Sequence, residues 1–212
     1  MRDILFMGDI LASVTHEMQN VMAIIKESGA LADDILKLNG PPRMRHGDKL
    51  EVALGNIQEQ VGRGRNLMLM LNGFAHAAAD YPETSDLTRF ARQISVLADR
   101  MVRLKECALA TELERPPLPV RGNALMLMQT IYLGLAAVLQ GCTAGDTLTL
   151  SLLDEAPGAD FAGIARISAC ISTSKPECAG LAEAMKEVGG SCRSDQGVLD
   201  LCYAAAPEGR AL

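Results

Sequence analysis

The chain has 212 residues, 49% of them hydrophobic but only 3% aromatic, with 11 methionines and no tryptophan. That suffices for one medium or two small domains with aliphatic, methionine-filled cores. A net charge of −6, from 20 basic and 26 acidic side chains, with no long basic run, argues against nucleic acid as a main partner.

From residue 3 to 38, apolar side chains recur at Ile4, Met7, Leu11, Val14, Met18, Val21, Ile25, Ala32 and Ile35. The steps alternate between three and four with one polar interruption, Ser28, which predicts a long helix with an apolar seam. With Leu11 and Met18 at heptad position a and Val14 and Val21 at d, His16 falls at f and faces water. Glu17 lies beside it and Asn20 one turn further on. Asn39-Gly-Pro-Pro42 ends the helix. After a loop over 41–47, a second run (Leu50, Leu54, Ile57, Val61, Gly64, Met68, Leu71, Ala75) predicts a helix from about Asp48 to Ala79. Gly62 and Gly64 each weaken it by about 1 kcal/mol relative to alanine, so close packing is expected there. Two such helices form an antiparallel hairpin that leaves much of its apolar surface bare. A homodimer closing a four-helix bundle is the economical remedy, and packing on the rest of the same chain is the less favoured alternative.

Tyr81-Pro-Glu-Thr-Ser85 reads as a linker, dividing the chain into 1–82 and 83–212. A helix is predicted over 86–104, a short strand over 107–113, a loop over 114–119 and an apolar helix over 123–139. Strands follow over 148–152 and 164–171, then a helix over 176–188 and a hairpin over 191–205. Helices mixed with strands after an all-helical start predict an α+β fold. The six cysteines lie in apolar segments without a C-x-x-C pair and are expected to be reduced and mostly buried. No apolar run reaches bilayer length, and Met1-Arg-Asp-Ile carries no secretory pattern. A cytoplasmic protein with no membrane partner is expected.

A presented imidazole can act as a base, bind metal or carry a phosphoryl group. Metal is the weakest of these. A zinc-protease helix reads H-E-x-x-H, whereas Asn20 stands at the second ligand place here, and His46 and His76 lack ligand spacing. Phosphoryl carriage needs an exposed ring nitrogen, a nearby acid and room for in-line approach.

Val14-Thr-His-Glu-Met-Gln-Asn20 closely resembles the phosphoacceptor box of two-component histidine kinases. The resemblance implies His16 as the phosphorylated residue, Glu17 as the acidic neighbour that orients the ring or moves its proton, and Asn20 as a group that positions water or phosphate. Val21 stands where the family usually has proline, which implies a straighter helix. The order of elements after residue 86 is similar to the family's ATP-binding domain, as are Ala124–Tyr132 and Gly180–Gly190. The nucleotide's tools are missing, however. The two asparagine places fall at Leu133 and Ala137, which offer no oxygen to Mg²⁺. The stretch Ile167–Pro176 has neither the Asp nor the glycines of the adenine-reading loop, and only Ser172–Ala179 stands where the long lid would be. The expected fold is therefore a helical hairpin for dimerisation and phosphotransfer (1–82) followed by a degenerate, reduced kinase-like α/β sandwich (83–212). The expected function is a histidine phosphotransferase that carries phosphate on His16 between receiver-domain aspartates. No cofactor of its own is expected, the Mg²⁺ coming with the response-regulator receiver. The alternatives are a receiver phosphatase, a non-catalytic dimeric scaffold and, last, an active kinase.

Arg63 and Arg65 are expected to be solvated charges, Arg43–His46 a solvated turn, Met68–Met70 and Leu125–Met128 core, and Gly189-Gly190 a turn.

Overall fold

The computed structural model describes residues 2–38, 47–79, 84–153, 161–169, 179–195 and 197–205. Two long helices, α1 (Arg2–Leu38) and α2 (Gly47–Ala79), form the hairpin. α1 continues without a break through Val21. The expected loop 41–47, except Gly47, which begins α2, and most of the linker lie outside the described residues, as do His46, Cys170 and Cys178.

The body opens on a short strand, β1 (Thr84–Asp86), and continues with α3 (Leu87–Arg103), β2 (Ala108–Glu112), β3 (Pro119–Arg121) and α4 (Ala124–Gln140). Then come β4 (Thr147–Leu153), β5 (Phe161–Ala169), α5 (Ala179–Glu187), β6 (Ser191–Asp195) and β7 (Val198–Ala204). Five strands form one sheet in the order β2-β4-β5-β7-β6, with only the β2–β4 pair parallel. β1 and β3 pair in a separate two-stranded ribbon that the sequence pattern does not predict. Each is three residues long, too short for an alternation to register. The architecture is thus α+β, two long N-terminal helices followed by a mixed sheet with helices.

Local chemistry explains the element ends. Asp86 caps α3 by accepting from the Thr88 amide at 3.0 Å, and it also accepts from the Leu118 amide at 2.9 Å. Asn123 caps α4 through the Met126 amide at 2.9 Å. The turn after α3 holds Glu106 at φ 56°, a left-handed conformation that only glycine adopts freely. β4 alternates buried and partly exposed residues, as a strand with one covered face must. Helix α4 lies close against that sheet. A Cβ on Gly134 would fall 2.7 Å from Ile167 Cδ1 and 3.1 Å from Leu201 Cδ1.

The hydrophobic core does not stop at the linker. Phe6, Ile10, Val14 and Phe74 of the hairpin join Leu97, Leu127 and Leu135 of the body in one cluster. Phe6 sits between Phe74 (ring centroids 5.6 Å apart, edge-on) and Tyr132 (5.3 Å). The described cysteines Cys107, Cys142, Cys192 and Cys202 form no disulfide with one another, and all but Cys192 are buried.

The hairpin's own seam departs from the expected one. Ile10, Val14, Val21, Ala32 and Ile35 are buried, but Leu11 is 49% exposed. On α2, Ala53, Gln60, Leu67 and Phe74 are buried, while Leu54, Val61 and Met68 are exposed. The heptad count ran two neighbouring faces together, one covered within the chain and one bare. The two glycines of α2 also part ways. A Cβ on Gly64 would meet Val21 Cγ1 at 3.2 Å, whereas one on Gly62 would meet nothing within 4 Å.

Candidate functional site

His16 is exposed on α1, between buried Val14 and Glu17. At 100° per residue, the buried face of α1 and the stripe of exposed Leu11, Met22 and Leu36 are centred about 100° apart. His16 lies about opposite their bisector, so both faces can be covered while the ring stays outside. Asn20 stands one turn on, its Nδ2 3.3 Å from His16 Nδ1. The sequence thus brings these two side chains together as expected.

Glu17 is placed differently. Its carboxylate turns away from the water that His16 meets and is buried, with 5% of the residue exposed. Arg63 of α2 reaches it at 2.5 Å and Arg103 of α3 at 2.8 Å, while Arg100 Nε lies 3.9 Å away. Arg103 also holds Asp99 at 2.7 Å. Burial alone would lower the Arg103 guanidinium, but its hydrogen bonds to Glu17 and Asp99 carry it above its ordinary value. Arg63 is therefore not a simple solvated charge. Arg100 and Arg103 were not singled out by the sequence. As basic residues in the last turn of a helix, they read as ordinary partners of its dipole.

Arg63 and Arg103 border a cavity of about 630 Å³ between the hairpin and the body, lined also by Glu59, Asn66, Leu67 and Leu109. Two further ties join α3 to the hairpin here. Gln93 Nε2 donates to the Met70 carbonyl at 2.7 Å, and Ser13 Oγ donates to the Leu97 carbonyl at 3.4 Å. Gly73 leaves the room that Gln93 uses, since a Cβ there would lie 2.9 Å from its Nε2.

No protein-family model matches the chain, and no curated protein matches it. Among solved structures, it is similar to the Acinetobacter baumannii histidine kinase AdeS at 13% identity (TM-score 0.45), over 91% of this chain and 98% of that one. It is similar to a bacterial phosphotransferase at 12% identity (TM-score 0.49), over 92% of this chain and 94% of that one. A third likeness is to the histidine kinase ThkA, in a complex with the response regulator protein TrrA. There the identity is 14% (TM-score 0.45), over 98% of this chain and 64% of that one.

Two of the expected nucleotide places carry apolar side chains. Leu133 is half-buried on α4 and packs on the core, and Ala137 is buried within it. Neither could turn an oxygen toward a cation. Among the described residues, no group of three His, Cys, Asp or Glu side chains is placed to hold a metal ion. No helix among them is long and apolar enough to cross a membrane.

Proposed function

We propose that the protein is a histidine phosphotransferase of a two-component phosphorelay, with His16 carrying the phosphoryl group between receiver-domain aspartates. The supporting observation is the exposure of His16 between buried neighbours, with Asn20 on its ring, inside a string that resembles the kinase phosphoacceptor box. In the proposed step the lone pair of Nε2 attacks phosphorus. A P–N bond forms, the P–O bond to the receiver's aspartate breaks, and the electron pair leaves with the carboxylate. Attack through Nε2 requires the ring proton on Nδ1. An Asn20 amide turned so that its oxygen accepts that proton would hold this tautomer. Glu17 is available to the ring only if it leaves Arg63 and Arg103. The receiver brings its own Mg²⁺, and no nucleotide takes part.

The proposed active form is a homodimer. Leu11, Met22 and Leu36 of α1 and Leu54, Val61 and Met68 of α2 are exposed, and a second copy would bury them in a four-helix bundle.

Purified protein mixed with a phosphorylated receiver should acquire acid-labile label, and the His16→Ala variant should acquire none. Asn20→Ala should slow transfer about ten-fold. Label acquired from ATP alone would overturn the reading. Asn20 also favours a second reading, a phosphatase that orients water at the receiver's aspartyl phosphate. Loss of receiver phosphate with no label on His16 would select it.

A further inference from the structure

We infer that Arg63 and Arg103 are positioning residues which, by gripping Glu17 from two sides, fix the α+β body against the hairpin next to His16. The inference rests on the phosphotransfer reading for its consequence, but not for its geometry. Glu17 belongs to the first helix, Arg63 to the second and Arg103 to the body, so one carboxylate joins three elements. The cavity lining carries no surplus positive charge. Arg63 and Arg103 face Glu17, Glu59 and Asp99 there, which leaves nothing over to hold a free phosphate. That argues for a clamp over an anion site. Gln93 on the Met70 carbonyl and Ser13 on the Leu97 carbonyl reinforce the same joint. Hairpin and body then present one continuous surface beside His16, and an approaching receiver meets both with little ordering left to supply.

This role for Glu17 differs in its kinetics from that of a proton carrier. A carrier lost to Glu17→Gln would lower kcat, and Arg103→Gln would not reproduce the effect. A clamp lost at either end should raise KM for the phosphorylated receiver by about ten-fold in both variants. Their combination should do no more than either alone.

The geometry has its own test. The chain contains no tryptophan, so Leu67→Trp, at a buried position on the cavity wall, gives a lone fluorophore. Acrylamide quenching of that probe should rise about two-fold when Arg103→Gln or Glu17→Gln is added, because a loosened joint admits the quencher. Quenching unchanged in both variants would overturn the clamp, whatever the transfer assay gives. A kcat loss confined to Glu17→Gln would overturn it too. If wild type takes no label on His16, the phosphotransfer reading falls, and the quenching result still decides the clamp.

Discussion

Glu17 and its arginines show how one side chain's surroundings set its cost of removal. A fully buried pair broken from one side costs about 3–5 kcal/mol. Here the Arg63 and Arg103 side chains are 40% and 44% exposed, and losing one leaves the Glu17 charge paired with the other. Arg103→Ala should therefore cost about 1–2 kcal/mol in urea unfolding, a discount for solvent screening. Tyr203 is the opposite case. Burial pushes its phenol well up, opposed by its 2.8 Å hydrogen bond with Thr130. Tyr203→Phe should cost about 1 kcal/mol, because Thr130 still donates to the Leu127 carbonyl. At this scale His16 and Asn20 were legible in the sequence, since helical phase alone predicts their shared outer face. The partners of Glu17 were not. No one-dimensional pattern says that the end of α3 will lie over the first helix.

Among the elements, the two glycines of α2 offer a direct comparison. Gly62→Ala should raise the melting temperature, adding about 1 kcal/mol of helix preference in open space. Gly64→Ala should lose that gain, because Val21 must give way. Glu106→Gly should stabilise by up to about 1 kcal/mol by relieving its left-handed backbone. Thermal unfolding of the three variants checks all of this. The regular elements were legible to within a few residues because each carries a period long enough to count. β1 and β3 were missed because a ribbon of three-residue strands is specified by its partner and not by its own pattern. Leu11 was assigned to the seam because spacing cannot separate two adjacent apolar faces, and its 49% exposure does.

For the whole molecule, the bare stripes on α1 and α2 make a prediction about assembly. Val61→Glu, at an exposed apolar position, should turn a dimer into a monomer in sedimentation while leaving the circular dichroism of each chain in place. A monomeric wild type would sink the proposed bundle. The division at residue 82 was read from composition, but a core that continues from Phe6 and Phe74 to Tyr132 is invisible to composition.

The chain holds four phenylalanines and three tyrosines, and three of these seven rings meet where helices and body touch. Cutting the gene after residue 82 would strip Phe6 and Phe74 of the Tyr132 side of their shelter. An excised hairpin should therefore clump or fray, and mixing in the remainder as a separate polypeptide should restore solubility. Fragment assays of the His16 chemistry are best run with both pieces present.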